Sequence, residues 1–144
     1  MKKIFIYYSM NGSGDVVADY MKEKGYDIRK VISKYEYPKK LFPLMMTGGF
    51  KALVKSKDKL IDFNSDISNY EKVVIGSPIW FDRISAPINT VLSKIDLTNK
   101  KVSFIFYSGS GEAIKASDRI KDIGDITILK EPKKNKDELK KIRG

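Results

Sequence analysis

The residues best suited to chemistry lie in three short Ser/Gly-rich stretches, each placed after an apolar run. The first, Ser9-Met10-Asn11-Gly12-Ser13-Gly14, stands between the apolar run Ile4 to Tyr8 and a helical pattern. Its two glycines let the backbone turn sharply and approach a ligand. Ser9, Asn11 and Ser13 add side-chain donors, and the free N–H groups at a helix start attract an anion. No Lys or Arg occurs from Ile4 through Met21, so a phosphate here would be held by neutral donors and the helix end. The Gly-Lys-Ser/Thr ending of a Walker loop is absent. So is the dinucleotide fingerprint, because Val17 stands three residues after Gly14. Taken alone, the loop serves equally well as an anion cradle or as a turn that binds nothing. The second stretch runs from Gly76 through Ser77, Pro78, Ile79, Trp80 and Phe81 to Pro87, with the only Trp just beyond a strand end. The third is Ser108-Gly109-Ser110-Gly111.

The sequence contains no cysteine and no histidine. That excludes thiolate zinc sites, iron–sulfur clusters and haem ligation through Cys or His. It also excludes a Cys nucleophile and any triad with a His base. No acidic cluster has calcium- or magnesium-site spacing, so no metal site is expected. Redox chemistry in this chain would need an organic cofactor. The charge is strongly positive, 28 Lys plus Arg against 18 Asp plus Glu, a net +10. All but four of the basic residues are Lys, the exceptions being Arg29, Arg83, Arg119 and Arg143. Base and phosphate recognition favours Arg forks, and the charge is spread along the chain apart from a denser tail at Lys133 to Arg143. A Lys-rich solvated surface is therefore expected rather than a nucleic-acid face.

The elements that must position the three stretches follow from periodicity. With 144 residues, 42% of them apolar, one domain with a substantial core is expected. No run approaches the ~20 apolar residues of a membrane span. The opening apolar run reads as a strand rather than a signal peptide, so a soluble, cytoplasmic protein is expected. Strands are predicted at Lys3 to Tyr8, Asp27 to Ile32, Lys72 to Gly76, Lys101 to Tyr107 and Asp125 to Leu129. Helices are predicted at Asp15 to Lys24, from Ser85 and Pro87 through Ile95, at Glu112 to Ile123, and as a short charged piece over Asn135 to Arg143. Ser85 is the expected N-cap. A further helical piece is predicted around Leu44 to Leu60. Strands with little polar alternation are buried on both faces. Alternating with helices, they imply a parallel sheet with right-handed crossovers. Ligands then bind beyond the carboxyl ends of the strands.

The three stretches together resemble the flavin loops of the flavodoxin-like family, in order and over almost the whole chain. Ser9 to Gly14 resembles the family's hydroxyl-rich phosphate loop, with Gly12 at the central Gly, Asn11 where a Thr is usual and Gly14 where the last Thr usually sits. Ser77-Pro78-Ile79-Trp80-Phe81 is similar to the second flavin loop, a Ser/Thr-Pro-x-Trp/Tyr segment leading into a Pro-containing helix start. Ser108-Gly109-Ser110-Gly111 resembles the third loop, without the tyrosine that many flavodoxins stack on the outer ring face. The resemblance implies a three-layer α/β sandwich with a five-stranded parallel sheet in the order 2-1-3-4-5. It implies non-covalent FMN, held by Ser9, Met10, Asn11, Gly12, Ser13 and Gly14, by Ser77 through Phe81, and by Ser108 through Gly111. Trp80 would stack on the ring, and Asp82 and Glu112 would lie near it.

The function this implies is electron transfer through FMN, with tuning by stacking, backbone hydrogen bonds and local charge. No catalytic side chain is needed. Redox partner proteins are expected, with acidic docking surfaces to suit the basic chain. The open outer ring face keeps a second reading, an FMN-dependent NAD(P)H reductase of quinones or similar acceptors. A third is a binding module without flavin on the same fold. Its phosphoacceptor receiver form fails, because Ser9 and Ser77-Pro78 stand where acidic residues are needed. Phe81, or a lid from Met45, Met46, Gly48, Gly49 and Phe50, would cover the outer face. A helix packed on the sheet is the preferred reading of that last segment.

Overall fold

A computed structural model describes residues 1–35 and 57–143. Five strands form the parallel sheet: β1 Lys3–Tyr7, β2 Asp27–Lys30, β3 Lys72–Trp80, β5 Lys101–Ser108 and β6 Asp125–Lys130. Their order is β2-β1-β3-β5-β6, and a two-residue strand β4, Arg83–Ile84, pairs antiparallel with the end of β3. Counting only the parallel strands, this is the expected 2-1-3-4-5. Strand order reverses between β1 and β3, which places the ligand-binding crevice of such a sheet at that edge.

The central strands are apolar on both faces, as their composition requires. Ile4, Ile6, Val73, Ile75, Phe104 and Phe106 point to one side, where they meet Ile88 and Val91 of helix α2 (Ala86–Lys94) and Ala116 and Ile120 of α3 (Ile114–Ile120). Phe5, Tyr7, Val74, Ile105 and Tyr107 point to the other, against Val17, Ala18 and Met21 of α1 (Ser13–Glu23). Leu139 and Ile142, at the 3-10 helix Lys136–Lys141, finish that layer. Each fully buried Phe or Ile contributes roughly 1.5–3 kcal/mol of transfer free energy, so the two layers hold the strand ends rigidly in place. The predicted charged terminal helix is thus a 3-10 segment that buries only Leu139 of its own six residues.

Several boundaries differ from expectation for identifiable reasons. β3 does not stop at Gly76. It continues through Ser77 and Pro78, which register with Phe106 and Tyr107 of β5, and through Ile79 and Trp80, which register with Ile84 and Arg83. Pro78 is tolerated because β1 registers with β3 only as far as Gly76, leaving one side of the strand free where the missing N–H lies. The second loop is therefore the tip of a hairpin. Helix α3 is shorter than the predicted span. The Glu112 amide is taken by Ser110 Oγ, and at the far end both Ile123 and Gly124 amides return to the Ile120 carbonyl. β2 ends at Lys30, while Ser33 makes an isolated bridge to Leu60. The lid or helix expected at Met45, Met46, Gly48, Gly49 and Phe50 lies outside the described residues, as does most of the Leu44 to Leu60 prediction.

Candidate functional site

Three chain turns meet at the carboxyl edge of the sheet and enclose a cavity of about 400 Å³, within the range of small-molecule sites. Met10, Asn11 and Ser13 come from the turn after β1. Pro78, Ile79, Trp80 and Phe81 come from the β3–β4 hairpin, and Tyr107, Ser108 and Gly109 from the end of β5. Glu131, after β6, completes the wall. Of the sequence-predicted residues, Ser9, Gly12, Gly14, Ser77, Ser110 and Gly111 are placed around this cavity rather than in its lining.

The first turn is held by its own polar side chains. Ser9 Oγ accepts from the Gly14 amide at 3.1 Å. Asn11 Oδ1 accepts from the Ser13 amide at 3.2 Å, which leaves the Asn11 amide group as a donor. Gly12 adopts φ +95° at the N-cap of α1, a backbone region that glycine enters without Cβ cost. Ser9 thus braces the loop from beneath, while Asn11 and Ser13 face the cavity.

The second turn is braced in the same way. Ser77 is fully buried; its Oγ lies 2.8 Å from Ser85 Oγ and from the Pro78 carbonyl, and accepts from the Ser85 amide at 3.1 Å. This explains why Ser85 occupies the N-cap position of α2 without capping through its side chain. At the hairpin tip, Phe81 and Asp82 both take positive φ, +48° and +63°. A two-residue hairpin of this kind suits the twist of its strands but is unfavourable for residues with a Cβ. Asp82 is turned away from the cavity, its carboxylate accepting from the Lys115 amide and its carbonyl from Ala116. Phe81 stands 54% exposed at the cavity wall, and Trp80, half-buried, meets Tyr8 edge-on at 6.1 Å.

In the third turn, Ser108 Oγ accepts from the Gly111 amide at 2.9 Å and Ser110 Oγ from Glu112. Gly109 is different: a Cβ built there meets nothing within 4 Å. It is an open backbone cradle within the lining. Tyr107 is buried beneath the turn and donates its hydroxyl to the Tyr8 carbonyl, so it braces the floor and does not stack across the opening.

Beyond the predicted residues, Tyr107 and Glu131 also line the cavity, and Lys133, outside the lining, contacts the first turn; Glu131 and Lys133 come from the segment after β6. The Glu131 amide donates to the Ser108 carbonyl, so this segment is fastened to the third turn. Lys133 then reaches the first turn, where its Nζ donates to the Asn11 carbonyl at 2.8 Å. The dense basic tail in the sequence was the available signal, without a direction. Glu112, expected near the site, is exposed and outside the lining; Glu131 is the acid that faces it.

The tyrosines near the site, Tyr7, Tyr8 and Tyr107, carry no charge at neutral pH. Burial holds the Tyr107 phenol well above its ordinary value, and burial followed by the Asp58 charge pushes Tyr8 up to about 12. Burial and the bond to Asp15 raise Tyr7 as well. All three phenols stay protonated near neutral pH. For Asp15, burial acts upward, but Lys30 at 2.9 Å and the Tyr7 hydroxyl at 2.7 Å outweigh it and leave the carboxyl below its ordinary value. Among the described residues no cluster of His, Cys, Asp and Glu could hold a metal ion. No helix there is long and apolar enough to cross a membrane.

The strand order, the two helical layers and the cavity at the switch point define a flavodoxin-like fold. Solved structures with this architecture agree. A candidate flavoprotein from Bacteroides eggerthii superposes with a TM-score of 0.76 at 20% identity, covering 92% of both chains. A flavoprotein from Lactobacillus acidophilus, solved in complex with FMN, gives 0.67 at 17% identity over 94% of this chain and 97% of its own. A flavodoxin from the domain Archaea gives 0.55 at 14% identity over 97% and 90%. No family model and no curated protein matches the sequence.

Proposed function

We propose that this protein binds FMN non-covalently in the switch-point cavity and transfers electrons through it. The observation that carries the reading is the convergence of the three turns on one slot. It has an aromatic wall at Trp80, an open backbone cradle at Gly109, and the start of α1 at one end. A planar ring needs an aromatic face and backbone groups at its polar edge. A phosphate tail needs neutral donors and a helix start. The Lactobacillus acidophilus structure with FMN, on the same fold, supports the choice of flavin.

Bound flavin would supply one- and two-electron redox chemistry. The protein's part is to hold and bias it. The braced turns at Ser9, Ser77 and Ser108 keep the walls from relaxing, Trp80 offers the stacking surface, and Phe81 is the aromatic available for the outer face. Glu131 places negative charge at the wall and disfavours a more anionic bound form. A carrier requires no acid or base from the chain, and the phenols of Tyr7, Tyr8 and Tyr107 stay protonated. Transfer would run to and from partner proteins with acidic docking faces, which suit a net charge of +10.

Titration of purified protein with FMN tests the reading directly. A saturable change in flavin absorbance with one site per chain is expected. A chain that leaves the flavin spectrum unchanged at saturating concentration would overturn it. Stopped-flow mixing of the loaded protein with NADPH then separates the carrier from a reductase: slow direct reduction is expected, and fast reduction would mean that the protein is the enzyme instead.

A further inference from the structure

The first turn reaches the cavity with no cation of its own, since no Lys or Arg occurs from Ile4 through Met21. Two of its amides, Ser13 and Gly14, are already engaged by Asn11 and Ser9 side chains. A phosphomonoester dianion placed there would meet fewer unspent donors than a bare Gly/Ser loop offers. The fold brings a charge from elsewhere. After β6 the chain turns at Glu131, with φ +43°, and the amides of Lys134 and Asn135 return to the Glu131 carbonyl. Pro132 is buried in this turn. These constraints direct Lys133 across the first turn, where its stem packs 3.3–3.4 Å from the position a Cβ would take on Gly12. Its ammonium rests on a neutral partner, the Asn11 carbonyl, at 2.8 Å. Among the described residues Lys133 takes part in no ion pair, whereas the neighbouring Lys134 pairs with Glu131. An ammonium held by one carbonyl beside an anion cradle is available for charge-assisted bonding.

Resting on the FMN reading above, we infer that Lys133 is the residue that recognises the phosphate charge, so that the site selects phosphorylated flavin over riboflavin. The selectivity comes from a lysine supplied by the far end of the sheet, not from the loop itself. The ammonium counters the dianion while the stem, packed on Gly12, keeps the turn in place.

The test compares the binding of FMN and riboflavin to wild type, Lys133→Met and Lys133→Arg. Methionine keeps the packing on Gly12 and removes the charge. FMN affinity should fall about tenfold in Lys133→Met, the size of one charge-assisted contact. Riboflavin affinity should stay the same, and Lys133→Arg should restore most of the loss. Wild-type FMN affinity should also drop with added salt more steeply than that of Lys133→Met. An unchanged FMN affinity in Lys133→Met would overturn the inference and leave FMN binding intact. Equal losses for both flavins would likewise overturn it, because Lys133 would then be only a brace for the turn. A wild-type protein that binds neither flavin would sink the FMN reading and the inference together.

Discussion

Gly109 offers the sharpest test of where the ligand lies, because the apo-protein does not need it to be glycine. Its backbone lies outside the positive-φ region, and a Cβ there meets nothing within 4 Å. Replacing it by leucine should therefore cost the empty protein nothing. The loss of chain freedom in the unfolded state should even add up to ~0.4–1 kcal/mol. In the presence of FMN the same side chain projects from the lining of a cavity of about 400 Å³ and competes with the ring edge for space. Affinity should fall tenfold or more, at least about 1.4 kcal/mol. Gly14→Ala is the contrasting control. There a Cβ would lie 2.7 Å from both Ser9 Cβ and Tyr107 Oη and 2.9 Å from Tyr7 Cδ2. Contacts of that length lie about 1 Å inside the optimal separation of non-bonded atoms, so the braced turn should lose ~1–3 kcal/mol of stability. Urea unfolding of the apo-proteins reads the stability terms, at roughly 1–3 kcal/mol per molar of denaturant, and flavin titration reads the affinity. A Gly109→Leu protein that binds FMN as tightly as wild type would refute the placement of the ring. One that unfolds more than ~1 kcal/mol too easily would refute the geometry of the turn, since open surface positions stay within about 0.5 kcal/mol.

Trp80→Ala should keep the fold and weaken FMN by ~1–3 kcal/mol, the range for stacking of a planar base on an aromatic side chain; unchanged affinity in the titration would remove Trp80 as the stacking residue. Glu131→Gln removes the acid from the wall and should raise the flavin reduction potential by on the order of 50 mV, where 59 mV is tenfold for one electron; a potentiometric titration with no upward shift would mean that Glu131 does not act on the ring. Asp15 has a lowered carboxyl in the folded chain, so the unfolded chain takes up its proton first as pH falls. Its stabilising effect is present above the ordinary value of 3.8 and is lost below it as pH drops through the folded value. Urea midpoints measured from pH 6 to pH 2.5 should show a shallower acid loss in Asp15→Asn, and identical slopes would remove the carboxylate from the account.

The sheet was legible because its strands carry their own signature. Runs such as Ile4 to Tyr8 and Val102 to Tyr107 lack polar alternation, and only a strand covered on both faces satisfies that pattern. Trp80 stood out as the single Trp beyond a strand end, and the structure puts it in the cavity wall. The strand predicted to end at Gly76 runs on to Trp80, so the second turn is a hairpin tip rather than a loop. In the structure Pro78 stays in β3, since its β1 side has no partner beyond Gly76. Residue type offers Ser9 as a ligand donor, and the family resemblance places Ser77 at the site. Their partners, Gly14 for one and Ser85 for the other, make them braces of the turns.

What the amino-acid order settled by itself is local: apolar runs that must be strands, turns rich in Ser and Gly after them, and a composition without Cys or His that leaves redox chemistry to an organic cofactor. Those features follow from steric and solvation preferences acting within a few residues. Which side chains face the cavity was decided only by the folded chain. Lys133 and Asn11 are 122 positions apart, and no local preference says that a lysine after the last strand will cross to the first turn. Parallel pairing of β1, β3, β5 and β6 brings their carboxyl ends to one edge, and that alignment alone puts Glu131 and Lys133 beside loops from the other end of the sequence.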